Sequence, residues 1–301
     1  MNRLLVREAI SAFIWHCRYE KSLDEKTIYA YETDLKQFEE LSCAKYLAQI
    51  EKTQIQIWLE SLSCFKHKTL KRKLATLKCF FSYLELDYEW FNNPLRRMDI
   101  KLKEPATLPR IMSIDEIRLI LNALDQKALS SNGQQHYLCI RNLAIIELLL
   151  ATGIRVGELC KLTYEDVNLS HGFVKIHGKG NRERVVAICQ KETMDALLAW
   201  SVLRNPGNSY FFVNRLNVPI TPQNIRQMLR RIVSDARLSN NITPHIFRHT
   251  FATLLLEEDV DIRYIQQILG HRSIKTTEIY THVTTKKQRE ILMHKHPRRR
   301  V

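Results

Sequence analysis

Apolar residues recur every three or four positions along most of the chain, which is the spacing of amphipathic helices. Within the first hundred residues this pattern forms four separate stripes. They run through 5–17, 28–41, 55–62 and 70–84. The pattern predicts an N-terminal bundle of helices over residues 1–93.

The periodicity stops after this bundle. Asn92-Asn93-Pro94 opens a stretch that closes with Pro105 and Pro109, and no helical stripe crosses it. Proline disfavours helix at its own position and at the residue before it. We therefore predict a linker over 94–109 and a second domain over 110–301.

The second domain begins with further helix signals. Ser113-Ile-Asp-Glu116 is a capping box, and a helix from about 140 to 151 is predicted to end at Gly153. Arg155 begins another short helix, on which Glu158 lies three residues on. Two strands, 173–177 and 184–188, flank the turn 178–181. The predicted fold is thus mainly α with a small β component: a helical bundle plus a mixed α/β, mostly helical domain.

Charge adds a class of partner to this picture. The 301 residues contain 46 Lys and Arg against 32 Asp and Glu, a formal net charge of +14. Residues 106–301 hold 28 of the basic and 17 of the acidic residues. A strongly basic surface favours a polyanion, and nucleic acid is the leading candidate.

One helix of the first domain is a candidate DNA-binding face. Lys68, Lys71 and Arg72 lie off its apolar stripe, and residues 65–84 contain no acidic residue. Such a face can lie along phosphates. A solvated basic face without a ligand is the alternative.

Several other classes are disfavoured. The most apolar stretch, 143–154, is short and interrupted by Glu147, so no membrane span is expected. The first twenty residues lack a signal-peptide pattern. Seven cysteines without a CxxC pair fit reduced thiols, and we expect a cytoplasmic protein without a zinc site.

Lys179 between Gly178 and Gly180 superficially resembles a phosphate-binding loop. A Walker A loop needs four residues between its glycines and Ser or Thr after the lysine, which this segment lacks. No HExxH pattern occurs either. We therefore expect no metal and no nucleotide cofactor, and Lys179 alone is explained by an exposed hairpin tip.

Residues 243–283 gather several chemically capable side chains. Thr243 is predicted to cap a helix that Pro244 begins, and this helix carries His245 and Arg248 in its first turns. A second helix is predicted to stop at Gly270, with His271 just past its end. Tyr280 is predicted to follow on a short helix. Each of these residues taken singly has an ordinary structural explanation.

Their joint occurrence resembles the signature of the tyrosine recombinase family, and in particular its Xer-like members. The matching positions are Arg155 after Thr-Gly, Lys179 on a hairpin, His245-x-x-Arg248, Gly270-His271 and Tyr280. The resemblance covers nearly the whole chain. Residues 1–93 resemble the core-binding domain that clamps DNA, and residues 110–301 resemble the catalytic domain.

The resemblance implies a role for each matching residue. Tyr280 would attack a DNA phosphodiester and form a 3′-phosphotyrosyl intermediate, without metal or ATP. Arg155, Arg248 and His271 would bind the phosphate, His245 would act as base and Lys179 would protonate the leaving 5′-oxygen. Glu158 would orient Arg155.

The resemblance also implies partners. They are double-stranded DNA with specific core sites, and three further copies of the chain in a tetrameric synaptic complex. Residues 286–301 would dock on a neighbouring protomer, although a frayed basic tail explains them equally well. A related recombinase or a DNA translocase are further candidate partners.

Two other classes of function stay open at this point. One is a non-catalytic DNA-binding protein on the same fold, and the other is a type IB topoisomerase. Ala187, where many Xer-like members have proline, leaves the subgroup open between resolution of DNA and integration or excision.

Overall fold

A computed structural model describes residues 4–100, 102, 110–178, 182–239, 241–270 and 291–300. The chain divides into two compact units, Met1–Thr107 and Leu108–Val301. The domain boundaries 1–93 and 110–301 themselves stay a prediction. Within the described residues no helix is both long and apolar enough to cross a membrane.

The first unit is helical. Its main helices are α1 (Val6–Trp15, continued by a π-helical turn at His16–Glu20), α2 (Glu25–Ser42), α3 (Lys52–Ser61) and α4 (His67–Asp87). Short 3₁₀ turns occur at Leu47–Gln49 and Pro94–Arg97. The buried aromatic side chains Phe13, Phe38, Trp58, Phe80 and Phe81 fill the centre of this bundle.

The start of the predicted linker packs on this first core. Pro94–Arg97 form a 3₁₀ turn, Asn93 caps it through Leu95 N, and the Leu95 side chain is buried. A single apolar contact of this kind leaves no periodic stripe, which is why the sequence pattern did not indicate it.

A buried carboxylate joins α2 to α4. Asp34 accepts hydrogen bonds from Lys73 Nζ at 2.9 Å and Thr76 Oγ1 at 3.1 Å, and Arg72 Nη1 also donates to it. Because Asp34 is fully covered, these donors replace its lost water. The contact fixes how α4 lies against α2.

The second unit surrounds one buried helix. Its elements are α5 (Ile114–Leu129), α6 (Gly133–Thr152), α7 (Val156–Leu159), β1 (Val167–Asn168), β2 (Phe173–Gly178), β3 (Arg182–Ala187), α8 (Lys191–Leu203), α9 (Pro222–Asp235), α10 (Pro244–Glu257) and α11 (Ile262–Leu269). Residues 291–295 are helical, and Pro297–Arg300 form a final 3₁₀ turn. Helix α6 packs against α5, α8 and α10.

The three strands form one antiparallel sheet in the order β1-β2-β3. Val174 pairs with Val186, and Ile176 pairs with Arg184. Val174, Ile176 and Val186 are fully buried, so this face of the sheet covers the core. Arg184 therefore enters the protein on the buried face. The mainly helical fold with a small sheet agrees with the sequence prediction.

Two local predictions need correction. Helix α6 starts at Gly133 rather than near 140, because Tyr137 packs on Trp200 and Cys139 is buried although neither belongs to an apolar stripe. Thr243 occupies the N-cap of α10, but its side chain makes no capping hydrogen bond. The capping box of Ser113 and Glu116 forms as predicted.

The C-terminal segment 291–300 packs against its own unit. Leu292 is buried, His296 Nε2 lies 2.8 Å from the carbonyl oxygen of Ala151, and Arg298 Nη2 lies 3.0 Å from Glu147. Glu147 is covered by protein and also accepts from Thr193. Docking of this segment on a neighbouring protomer stays a prediction.

Candidate active site

The site begins where α6 ends. Gly153 closes the helix with φ +57°, a left-handed conformation that favours glycine. A Cβ here would lie 2.7 Å from Leu269 Cδ2 and 2.8 Å from Phe251 Cδ1. This close approach brings the end of α6 against α10 and α11, and it places Arg155 beside them.

Arg155 precedes the single turn of α7 and points toward the C-terminal end of α11. Its Nη1 donates to Glu158 Oε1 at 2.8 Å and to the carbonyl of Leu269 at 3.4 Å, and its Nη2 donates to the carbonyl of Gly270 at 3.0 Å. The side chain is 38% exposed. The guanidinium is thus held on one side and open on the other.

Arg248 approaches the same helix end from α10. Its Nη1 donates to the carbonyl of Gly153 at 2.8 Å and its Nη2 to that of Leu269 at 2.7 Å. Burial, together with repulsion from Arg155 and Arg184, lowers its pKa to about 10. The group stays protonated at neutral pH, so it keeps the charge that binding an anion requires.

Glu158 is the carboxylate that serves this cluster. Burial alone would raise its pKa, but hydrogen bonds and attraction from Arg184, together with hydrogen bonds from Arg155, hold the pKa below its ordinary value. Its oxygens accept from Arg184 Nη1 at 3.2 Å and Nη2 at 2.6 Å. The predicted supporting contact between Glu158 and Arg155 is present.

The cluster carries excess positive charge. Within the described residues, three guanidinium groups lie around a single carboxylate. Arg155 and Arg184 pair with Glu158, whereas Arg248 donates to backbone carbonyls. The remaining acceptors are the carbonyl of Gly153 at the end of α6 and carbonyls at the C-terminal end of α11, and such helix ends carry only a partial negative charge. Such a site suits an anion, and paired guanidinium groups suit the oxygens of a phosphate.

His245 lies in the first turn of α10, on the exposed surface. Partial burial lowers its pKa, and the nearby charges of His249, Arg248, Arg226 and Arg155 lower it further. These effects favour the neutral form of the ring. A neutral imidazole has an unprotonated nitrogen that can accept a proton.

The structure brings together four of the predicted site residues in this unit: Arg155, Glu158, His245 and Arg248. Three other predicted residues, Lys179, His271 and Tyr280, lie outside the described residues. Lys68, Lys71 and Arg72 lie on α4 in the other unit, with exposed side chains. Arg72 also donates to Asp34, so part of its hydrogen-bonding capacity is used inside the bundle.

Two further arginines lie near these residues, Arg184 and Arg226, and the predictions from the sequence did not include either of them. One signal for Arg184 is its position two residues before Val186 on β3. Residues two apart in a strand point to the same face, and Val186 is buried, so Arg184 lies on the buried face of the sheet. A charged residue at such a position needs a partner, and Glu158 is that partner. Arg226 lies on the exposed surface of α9 and carried no distinguishing pattern.

Comparison with protein families identifies both parts of the chain. The catalytic profile described as "Phage integrase family" matches residues 110–287, and "Phage integrase, N-terminal SAM-like domain" matches residues 10–87. The first match alone covers more than half of the chain. The chain therefore belongs to the phage integrase family.

Individual similar proteins show which enzymes of this family the chain resembles. A protein named "Tyrosine recombinase" from Agathobacter rectalis is 38% identical over 99% of both chains. A "Tyrosine recombinase XerD" from Halalkalibacterium halodurans is 34% identical and covers 97% of this chain and 99% of the relative. The solved structure of XerH site-specific recombinase bound to palindromic difH substrate is 25% identical with a TM-score of 0.70, covering 93% of this chain and 82% of that one.

These matches establish the class of enzyme. The chain is a tyrosine recombinase, an enzyme of site-specific DNA recombination. They favour this function over a non-catalytic DNA-binding protein and over a topoisomerase of type IB. The predicted family resemblance is confirmed.

Proposed function

We propose that Arg155 and Arg248 bind the scissile phosphodiester of a DNA core site while Tyr280 attacks its phosphorus. The observation that carries this assignment is the shared acceptor of the two arginines, the carbonyl oxygen of Leu269. Two guanidinium groups that reach one oxygen atom are close enough to reach two oxygens of one phosphate. Glu158 keeps Arg155 in that orientation.

The arginines supply the electrostatic part of the chemistry. Negative charge on the phosphoryl oxygens must be stabilised in the transition state, and preorganised cationic donors do this efficiently. Arg155 and Arg248 are anchored to backbone carbonyls, so they need little reorganisation when DNA arrives. A single arginine in such a role is worth about 10³–10⁵ in rate.

The proton transfers complete the proposed cycle. The phenol of Tyr280 gives its proton to His245, and its oxygen forms a bond to phosphorus as the bond to the 5′-oxygen breaks. Lys179 gives a proton to the leaving 5′-oxygen, and His271 donates a further hydrogen bond to the phosphate. Because the phosphodiester energy stays in the 3′-phosphotyrosyl bond, a second 5′-hydroxyl can reverse the reaction without ATP.

The proposed partner is double-stranded DNA with specific core sites, bound by four copies of the chain. The XerH structure holds its own difH substrate, and relatives named XerC and XerD share about a third of their residues with this chain. We accordingly place the chain in the Xer-like subgroup. A related recombinase or a DNA translocase belongs to the same proposal as an accessory partner.

Trapping a covalent adduct tests this proposal. Binding sites are first selected from random DNA, and each is then nicked close to the cleavage position so that the released 5′-hydroxyl fragment diffuses away. The wild-type chain and a Tyr264→Phe control, altered in α11 of the same unit, should form a denaturant-resistant adduct. Tyr280→Phe should form none. An adduct with Tyr280→Phe, or no adduct on any selected site, would overturn the proposal.

A second experiment distinguishes recombination from the relaxation of supercoiled DNA by a topoisomerase. Exchange should need two specific sites in one complex, and plasmids with a single site should stay unrecombined. Efficient relaxation of supercoiled DNA without any selected site would favour the topoisomerase.

A further inference from the structure

We propose that Arg184 is a positioning residue of the recombination reaction. Its guanidinium fixes Glu158 and the C-terminal end of α11, and through them it sets the orientation of Arg155. This inference rests on the proposed function, because it assigns Arg184 to the same phosphate-binding site.

The contacts of Arg184 use all three of its guanidinium nitrogens. Nη1 and Nη2 donate to the two oxygens of Glu158 at 3.2 and 2.6 Å, and Nε donates to the carbonyl of Ile268 at 2.8 Å. Such a two-point pairing fixes the plane of the carboxylate as well as its distance. Arg184 thereby determines how Glu158 presents its oxygens.

The same two oxygens hold Arg155. Glu158 Oε1 accepts from Arg155 Nη1 at 2.8 Å, and Oε2 accepts from the Arg155 backbone nitrogen at 3.2 Å. The carboxylate is therefore a bridge between one arginine on β3 and another at the start of α7. Without Arg184 the carboxylate can rotate, and the Arg155 guanidinium follows it.

Arg184 also fixes the carbonyls that the other two arginines use. Ile268 directly precedes Leu269 and Gly270, whose carbonyls accept from Arg155 and Arg248. The hydrogen bond from Arg184 to Ile268 therefore ties β3 to the end of α11. A Cβ on Gly270 would lie 3.2 Å from Arg184 Nη1, which shows how closely this helix end fits the guanidinium.

Direct contact of Arg184 with DNA is disfavoured by its burial. Its side chain is 12% exposed, against 38% for Arg155, and its donors already face protein oxygens. Reaching a phosphate would break the pairing with Glu158 and leave a covered carboxylate without its strongest partner. Arg184 thus acts through Arg155.

The test compares Arg184→Gln and Arg184→Lys with a matched control, Arg204→Gln. Arg204 is also buried, and it donates to the backbone carbonyls of Asn208 and Tyr210. Within the described chain it contacts none of Arg155, Glu158 and Arg248. Single-turnover cleavage of nicked DNA is measured at saturating protein, and DNA affinity is measured separately. Thermal unfolding shows which variants remain folded.

We expect Arg184→Gln to slow cleavage about 100-fold, the order of loss that a displacement of about 1 Å causes in a catalytic site. DNA affinity should change by less than about threefold, because an interaction that acts on the transition state lowers the rate and not the binding. Arg184→Lys should recover part of the rate, since an ammonium keeps the charge but not the two-point pairing. Arg204→Gln should cleave at the wild-type rate once folded.

A double variant shows whether Arg184 acts through the carboxylate. If it does, Glu158→Gln with Arg184→Gln cleaves faster than the product of the two single losses predicts. Multiplicative losses would overturn the inference. So would a wild-type cleavage rate in folded Arg184→Gln, or a loss of DNA affinity with a smaller salt dependence, which would indicate direct phosphate contact.

A readout without DNA separates this inference from the proposed function. The carboxyl ¹³C signal of Glu158 is followed against pH in the full chain, with Glu158→Gln used to assign it. Arg184→Gln should raise the pKa of Glu158, whereas Arg204→Gln should leave it in place. An unchanged pKa in Arg184→Gln would overturn the positioning role even in an active enzyme. If Arg184→Gln raises the pKa of Glu158 but the wild-type chain forms no adduct, the proposed function is rejected instead.

Discussion

Arg155 and Arg248 donate hydrogen bonds to one and the same carbonyl oxygen, that of Leu269, at 3.4 and 2.7 Å. The two residues are far apart in the sequence and enter from different helices. Their meeting point is the C-terminal end of α11, where helix carbonyls lack partners within the helix. The fold therefore prepares a pair of guanidinium groups before any ligand binds.

The glycine at the end of α6 makes this meeting possible, and it can be tested against a matched position. Gly153 and Gly133 have nearly equal φ angles, +57° and +55°, but only Gly153 is surrounded by side chains within 4 Å. Gly133→Ala should cost about 1–2 kcal/mol from backbone strain alone. Gly153→Ala should cost a further 1–3 kcal/mol or so from overpacking against Leu269 and Phe251, and it should slow cleavage. Equal losses of thermal stability in the two variants would contradict this account.

The pairing of Glu158 predicts a pH-dependent effect on stability. Because its pKa is lower in the folded chain than the ordinary 4.5, its stabilising contribution is complete above that pH and is lost as the pH falls through the folded value. Glu158→Gln should destabilise the second unit by about 3 kcal/mol at pH 7 and by less below pH 4.5. Hydrogen exchange of α7 and β3 in both proteins measures the difference. A difference that stays constant down to the acid limit would refute the linkage.

His296 predicts a loss of stability that begins at a higher pH. Burial lowers its pKa to about 4, so the ring is neutral in the folded chain, accepts from Arg298 N and faces the carbonyl of Ala151. The contribution of the neutral ring is complete above the ordinary pKa of 6.5 and declines as the pH falls toward 4, by about 3 kcal/mol in total.

Thermal unfolding of His296→Gln and wild type at several pH values checks this. The difference in Tm should shrink between pH 6.5 and pH 4 as the wild type weakens. His294→Gln, altered at an exposed position two residues away, serves as the control. A wild-type Tm that falls no faster than that of His296→Gln over this range would show that the ring does not titrate there.

We predict that the basic residues of α4 differ in what they contribute to DNA binding and to stability. Lys68 is exposed, whereas Arg72 also donates to the buried Asp34. Lys68→Gln should reduce the slope of log K against log salt by about 0.9, the value for one phosphate contact. Arg72→Gln should additionally destabilise the first unit by about 1–2 kcal/mol, because Asp34 loses a donor. DNA titrations across salt concentrations, with thermal unfolding, distinguish the two; an unchanged slope in Lys68→Gln would remove it from the interface.

Local signals in the sequence predicted much of this structure. The stripes of the first unit, the capping box at Ser113 and the helix stop at Gly153 each depend on neighbours within a few residues, and each is present. The pair of Arg155 and Glu158 is also local, three residues apart. Such contacts leave a pattern that a single sequence can reveal.

Contacts between distant segments left weaker signals, because the alternation that places Arg184 on the buried face of β3 does not identify its partners. Arg184 meets Glu158 across 26 residues and Ile268 across 84, and an arginine in a strand ordinarily indicates a solvent-facing position. Helix α6 extends to Gly133 because Tyr137 packs on Trp200, a contact that only the folded chain creates. A local signal also gave a wrong prediction at Thr243, which occupies the N-cap of α10 without making the side-chain hydrogen bond of a cap.

The proposed mechanism depends on Arg155 and Arg248 binding the phosphate that Tyr280 attacks. A crystal structure of Tyr280→Phe bound to its own DNA site tests this binding. We predict that Arg155 and Arg248 each donate to a non-bridging oxygen of the scissile phosphate at about 2.7–2.9 Å, with the position 280 ring facing the phosphorus. A scissile phosphate held by other residues, with both guanidinium groups still bonded only to protein oxygens, would contradict the account.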